Sequence, residues 1–425
     1  MLDVRLVRER PELLRAAYAR RGVLDALAPT LDRLGELERE RRALIGRVEE
    51  LKAARNAGAQ EVARRKRAGE GADDLIARGR ALGDEVAALD AERAGVESSL
   101  DALLLELPNV TRPEVPAGDA SHNAVVRTWG TPREAGSAHP HWDVGARLGL
   151  FDLARAAKVS GSGFAVYRGR GARLVRALLN YFLDAHTAEH GYEEVWAPAL
   201  VTRATMTGTG QLPKFEDDAY AVRGEDDLFL IPTAEVPVTN LYRDEVLDAA
   251  DLPRGFVAYT PCFRREAGSA GKDTRGIQRL HQFDKVELVR YSKPEESSAE
   301  LERLTGHAEA LLQALELPYR VVLLAAGDTG QASAKTYDLE VFAPGVGKWL
   351  EVSSCSVFDD YQARRANIRY RPGAGEKPRF VHTLNGSGLA FPRVIAAILE
   401  QHQRPEGSVA LPAPLRPYMG ADRLG

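Results

Sequence analysis

The chain has 425 residues, more than one hydrophobic core usually fills, so two domains are expected. A formal net charge of -4 excludes a uniformly basic nucleic-acid binder and leaves room for local basic patches. Two cysteines, Cys262 and Cys355, are too few for a disulfide framework or a cysteine-rich zinc site, and no stretch approaches a signal peptide or the roughly 20 apolar residues of a membrane span. A soluble, cytoplasmic protein without zinc is expected.

From residue 31 to 107 the chain is rich in Glu, Arg, Ala and Leu and nearly free of proline and aromatics. Apolar residues recur in steps of three and four at Leu34, Leu37, Leu44, Val48 and Leu51, with Arg41 and Arg55 interrupting. They recur again at Leu75, Leu82, Val86, Leu89, Val96, Leu100, Leu103 and Leu107, with Arg93 interrupting. This is coiled-coil spacing, and the break at Gly69, Glu70 and Gly71 predicts two long helices folded back as an antiparallel hairpin. Basic residues dominate the first arm, ending in Arg64, Arg65, Lys66 and Arg67; acidic residues dominate the second. Positive charge near a protruding tip suits a phosphate backbone, and a solvated face with ion pairs inside the hairpin accounts for the same pattern.

Prolines between residues 108 and 142 mark a linker or irregular crossing. His139 and His141 within it have no further ligand at metal spacing and read as surface or packing residues. The glycines of SGSG and RGRG (Gly161, Gly163, Gly169, Gly171) read as turns. Residues 172–190 have helical periodicity, closed by Gly191. YEEVWAPALV carries Pro198 and is predicted as an edge strand. GTGQLPKF and DLFLIPTAEVPV read as short strands and turns. A helix is predicted over 294–315, strands in YRVVLLAAG, YDLEVFAP and KWLEVSSCSV, and a last helix in PRVIAAILEQH. Strands and helices not in strict alternation predict an α+β domain on a mainly antiparallel sheet flanked by helices.

The stretch PCFRREAGSAGKDTRGIQRLHQFDKVE, residues 261–287, reads as strand, loop, strand between the apolar runs FVAY and VELV. It carries two arginine–carboxylate groupings, Arg264 with Glu266 and Arg275 with Glu287, around a loop with Gly268, Gly271 and Gly276. Arginine pairs bidentately with phosphate or carboxylate oxygens, and glycine tolerates sharp backbone angles, so the loop suits a polyanion. A charged β-hairpin on a solvated face has the same spacing.

Separated elements here coincide in order. The helix before Gly191 and Tyr192 with Pro198, CFRREAG, and LNGSGLAFPR (384–393) resemble the three motifs of class II aminoacyl-tRNA synthetases. Thr233-Ala234-Glu235, GTGQLPKF (208–215), HQFDKVE (281–287) and EVSSCS (351–356), together with the N-terminal hairpin, are similar to stretches of the seryl-tRNA synthetase family. The resemblance covers essentially the whole chain. It implies a helical domain over 1–110 with a tRNA-binding arm, a linker over 111–142 and a catalytic domain over 143–425. One departure is Gly163, where a GSRF-like stretch has arginine.

Activating a carboxylic acid with ATP requires neutralised α-phosphate charge and an attacking carboxylate held in line. Arg264 is suited to bridge the amino-acid carboxylate and the α-phosphate. Glu266, two residues on and so on the same strand face, can accept from the adenine amino group, and Phe283 can stack on the base. Arg275 and Arg393 suit the γ-phosphate and adenine surfaces. By the resemblance, Arg265, Leu280, Val352 and Ser353 belong to the ATP site, and Glu351 and Ser354 ligate Mg²⁺. A buried site that hydrogen-bonds the serine hydroxyl rejects the analogue lacking it, and Glu287 and Ser387 are the candidates for that contact. Thr233, Ala234 and Glu235 would line the amino-group side, and Asn385 would help fix the pocket. Taken singly, Glu287 is also an ordinary strand ion-pair residue and Ser387 a turn residue. No nucleophilic side chain is implied, and both cysteines read as packing residues.

The resemblance further implies L-serine, ATP and tRNA(Ser) as partners, and tRNA(Sec) where it exists. Arg55, Arg64, Arg65, Lys66 and Arg67 are the candidate tRNA contacts, gripping the long variable arm. A homodimer would let one protomer's hairpin reach tRNA at the other's active site. The alternatives are a ligase that loads an amino acid onto a carrier protein and a catalytically silent RNA-binding relative.

Overall fold

The computed structural model of the chain describes residues 1–267 and 275–425. These fall into two units, Leu2–Leu107 and Pro108–Gly425 with Met1. In the first unit, helices α1 (Leu24–Arg67) and α2 (Asp73–Glu106) form the predicted antiparallel hairpin. Gly69 ends α1 at φ +74°, and the bonds Glu70 N–H to Arg65 O (2.9 Å) and Gly69 N–H to Lys66 O (3.3 Å) close the last turn as a Schellman motif. Asp73 and Asp74 then open α2, where acidic side chains oppose the helix dipole.

Leu34, Leu37, Leu44, Val48 and Leu51 are buried on α1, as are Val86, Val96 and Leu100 on α2. Near the end of α2 the buried residue is Leu104 rather than the predicted Leu103. Leu100 and Leu107 on either side are buried as expected, so the last steps run four then three residues where three then four were expected. Two of the arginines that interrupt the seam are held by carboxylates. Arg41 pairs with Glu38 (2.8 Å) and Glu97 (3.6 Å), and Arg93 with Asp90 (3.2 Å) and Glu97 (3.8 Å). Lys52 reaches Asp90 and Arg47 reaches Glu85, so the opposite charges of the two arms meet across the seam. At the tip, Arg64 and Arg65 share Glu61.

In the second unit the main sheet contains β1 (Ala124–Trp129), β2 (Glu193–Glu194), β3 (Arg254–Phe263), β4 (Gln282–Ser292), β5 (Tyr319–Leu323), β6 (Lys335–Ala343), β7 (Lys348–Val357) and β8 (His382–Ala390). Among the described residues its order is β1-β5-β6-β7-β8-β4-β3-β2, antiparallel except where β2 runs parallel to β3 at the edge. The stretch 111–142, proline-marked as a connector, thus supplies the strand at the opposite edge.

Strand alternation divides the core. Val257 and Leu288 face a cluster built with α3 (Arg170–Ala188), α4 (Ser297–Ala314) and α5 (Phe391–Gln401). Phe256, Ala258 and Val289 face a second cluster with Val238, Ile368 and Val381. The residues of TAEVPV do not extend as a strand: Glu235–Thr239 is a one-turn helix, and the longer helix Arg203–Thr209 ends just before Gly210. No described helix is long and apolar enough to cross a membrane.

Candidate active site

β3 and β4 pair from Phe263 opposite Gln282 to Arg254 opposite Tyr291, leaving Arg264 just past the last rung beside Phe283. The Arg264 amide donates to His281 O (2.9 Å), and its guanidinium lies over the Phe283 ring, 5.2 Å from the centroid. Lys285, Glu287 and Val289 alternate onto the face away from α3, α4 and α5. There Thr233, Glu235, Asn385 and Ser387 join Lys285 and Glu287 around a cleft of about 420 Å³.

Glu287 is 1% exposed. Its carboxylate pairs with the Lys285 ammonium and accepts from Asn385 Nδ2 (3.0 Å) and Ser387 Oγ (3.5 Å). Lys285 Nζ donates also to Thr233 Oγ1 (2.8 Å). Glu235, buried beside this pair, accepts from Gln362 Nε2 (2.6 Å) and Asn385 Nδ2 (2.9 Å). Burial, and then the neighbouring charge of Glu287, push the Glu235 carboxyl up to about 7 against the opposing effects of Gln362, Lys285 and Arg264.

The two predicted arginine–carboxylate groupings are replaced by others. Glu266 has φ +53°, a left-handed turn that takes it off the strand face expected of it, and its carboxylate pairs with Arg279. Glu287 pairs with Lys285, two residues away on the same strand face, while the Arg275 guanidinium lies 4.5 Å from the Trp142 ring centroid. Gly268 and Gly271, and with them most of the predicted loop, lie outside the described residues.

Arg264, Glu266, Leu280, Phe283, Glu351, Val352, Ser354 and Arg393 all line the cleft. Arg265 is exposed, its amide bonded to Asp218 O (3.0 Å), and neither it nor Arg275 lines the cleft. Ala234 is fully buried behind it, and Ser353 turns away to donate to Ser387 O (2.7 Å). Arg393, in the first turn of α5, donates to Gln278 O (3.1 Å) and Glu351 O (2.8 Å).

Glu351 and Ser354 are three apart, so an uninterrupted strand would aim them at opposite faces. A β-bulge at Val352, where Leu339 pairs with Ser353 and Glu340 with Glu351, resets the alternation and brings both to the cleft. Asp338 sits opposite Ser354, whose hydroxyl bonds its carboxyl. Burial, then the charge of Glu351, hold that carboxyl well above the usual range, and its Oδ1 has no partner among the described residues. The oxygens of Glu351 and Ser354, which both line the cleft, are a donor set that fits a hard cation such as Mg²⁺. Among the described residues no three His, Cys, Asp or Glu side chains converge on a metal position, so such an ion would need substrate oxygens to complete its shell.

Sequence reasoning missed Lys285, Arg279, Asp338 and Gln362. Lys285 was within reach of the two-residue period from Glu287. Gln362, on the short helix Tyr361–Ala366, carries no local signal. Gly163 has a structural reason: it sits at φ +80°, its carbonyl accepts from His281 N–H (2.8 Å), and a Cβ would come 2.4 Å from the His281 ring. His141 is fully buried, its Nδ1 2.8 Å from Glu400 Oε1. Cys262 and Cys355 are buried, and burial raises both thiols.

Residues 1–111 match the model of the seryl-tRNA synthetase N-terminal domain, and residues 214–402 that of the class II tRNA synthetase core domain for G, H, P, S and T. The chain is 64% identical over 421 residues to a serine–tRNA ligase of Gemmatimonas aurantiaca, covering 99% of each chain. It is 55% identical over 428 residues to one of Thermomicrobium roseum, covering 100% of this chain and 95% of that one. Among solved structures it is similar to seryl-tRNA synthetase from Pyrococcus horikoshii complexed with ATP. The TM-score is 0.94 and the identity 41%, with 100% of this chain and 99% of that chain covered.

Proposed function

The chain belongs to the seryl-tRNA synthetase family and is an ATP-dependent serine–tRNA ligase, and from that premise we propose how its cleft carries out the reaction. In the first step the serine carboxylate attacks the α-phosphorus of ATP and pyrophosphate leaves, giving seryl-adenylate. In the second, the terminal adenosine hydroxyl of tRNA takes the seryl group and AMP leaves.

Arg264 neutralises charge between the serine carboxylate and the α-phosphate, and Phe283 beneath it stacks on adenine. Glu266, fixed by Arg279, accepts from the adenine amino group, and Arg393, which lines the same cleft, serves the outer phosphates and the base surface. Mg²⁺, when bound with ATP, would neutralise phosphate charge and would be held by Glu351 and Ser354. The serine ammonium meets Thr233 and Glu235, and the serine hydroxyl meets Glu287 and Ser387. The observation that carries this reading is a single cleft in which the Arg264–Phe283 pair adjoins the buried polar cluster of Lys285, Glu287, Glu235, Asn385 and Ser387. Such a cluster would be left with unpaired groups by alanine or glycine, which is how it selects serine.

The basic tip of the hairpin, with Arg55, Arg64, Arg65, Lys66 and Arg67, takes the phosphate backbone of tRNA(Ser), and of tRNA(Sec) where it exists. The match of residues 1–111 to the family's N-terminal domain favours tRNA over a carrier protein as acceptor. A homodimer through the β2 edge is supported by the short, open edge strand and by Trp196 just beyond it, 75% exposed. ATP–pyrophosphate exchange that depends on serine tests the first step, and absence of exchange with any amino acid would overturn the reading.

A further inference from the structure

Gln362 does not line the cleft, yet it is wholly buried and fully engaged behind it. Its Nε2 donates to Glu235 Oε1 (2.6 Å) and to Thr209 O (3.1 Å), and its Oε1 accepts from Thr383 Oγ1 (2.7 Å). Thr209 O can only accept, and so can an ionised Glu235, so the amide nitrogen must face these two and its oxygen must face Thr383. The other Glu235 oxygen accepts from Asn385 Nδ2 (2.9 Å). Two amides therefore hold Glu235 in one orientation, and both act as donors, which favours the carboxylate over the neutral acid.

We propose that Gln362, oriented by Thr383, is a positioning residue for serine recognition: it keeps Glu235 ionised and aimed at the substrate ammonium. This rests on the reading that Glu235 receives that ammonium. The groups around Glu235 make the role necessary. Burial and Glu287 on β4 favour the protonated acid, with the carboxyl pushed up to about 7; Gln362 opposes them, with Lys285 on β4 and Arg264 beyond β3 acting the same way. Loss of the Gln362 donor raises that carboxyl further, so at neutral pH more of the protein presents a neutral acid to a cation.

The test is Gln362→Met in the full chain, a similar volume without the amide, measured by serine-dependent ATP–pyrophosphate exchange between pH 5.5 and 9. The expected result is a serine KM raised about tenfold at pH 7, the loss of one hydrogen bond to a charged group. The ATP KM should stay unchanged, the acid limb of kcat/KM for serine should move to higher pH, and the KM should recover towards the wild-type value at pH 9. Thr383→Val should shift the limb in the same direction by less, and it carries the test if Gln362→Met does not fold. A KM raised equally at every pH, or an unmoved acid limb, overturns the proposal. Glu235→Gln separates the two layers: an unchanged serine KM there removes the ammonium assignment and the proposal with it, whereas a raised KM alongside an unshifted Gln362→Met removes the positioning role alone.

Discussion

Glu287→Ala would strand the Lys285 ammonium, which is 7% exposed and would keep Thr233 Oγ1 at 2.8 Å as its nearest polar partner. Breaking a buried ion pair by removing one member costs about 3–5 kcal/mol, and the surviving hydroxyl contact points to the lower end of that range. Substrate recognition suffers separately. A charge-assisted bond to the serine hydroxyl contributes about 1.5–3 kcal/mol, so serine KM should rise about 10- to 100-fold while ATP binding is spared. Removing both charges with Lys285→Met/Glu287→Leu tests the cause, because an apolar pair of similar volume is often neutral or stabilising. Thermal unfolding of the full chain should show the single variant weakened and the double variant largely restored, with the serine KM for exchange raised in both. Equal destabilisation of the two variants, or a Glu287→Ala enzyme with unchanged serine KM, would refute the reasoning.

Arginine at position 163, as in the related GSRF stretch, should destabilise this chain. The left-handed backbone alone costs about 1–2 kcal/mol for a non-glycine residue, and the side chain would displace His281; an unchanged melting temperature for Gly163→Arg would contradict this. Deleting residues 31–107 should spare ATP–pyrophosphate exchange and abolish tRNA charging, so normal charging by the shortened chain would remove the hairpin's role. Glu235 ties stability to pH. A carboxyl raised from 4.5 to about 7 by folding binds its proton more tightly in the folded state, so its contribution to stability is lost as pH rises across that window. Serine should offset this loss by pairing with the ionised group, so the thermal shift it produces should be larger at pH 8 than at pH 6; equal shifts would argue against the ammonium contact.

The hairpin was legible because coiled-coil spacing and the Gly69 break act locally, and every predicted seam residue on α1 from Leu34 to Leu51 is buried. Its charges became legible only in three dimensions. Arg41 and Arg93 interrupt the pattern on separate helices, and the Glu97 they share is distant from Arg41 in sequence. In the cleft, the strands around CFRREAG and HQFDKVE followed from apolar runs, while the pairing of their charges did not. A left-handed residue at Glu266 and a bulge at Val352 change which side chains face the site, and neither leaves a compositional mark. Lys285, by contrast, has a local signal, because its two-residue spacing from Glu287 places both on one strand face. Gln362 depends on tertiary proximity alone.

The central claim is that one cleft joins an arginine-held adenylate site to a pocket built for the serine hydroxyl. ATP–pyrophosphate exchange measured across serine, alanine, glycine and threonine, with wild-type and Arg264→Ala chains, tests it most directly. Exchange should favour serine over alanine by roughly 10⁴ or more and vanish in Arg264→Ala. Exchange with alanine comparable to that with serine, or undiminished exchange in Arg264→Ala, would contradict it.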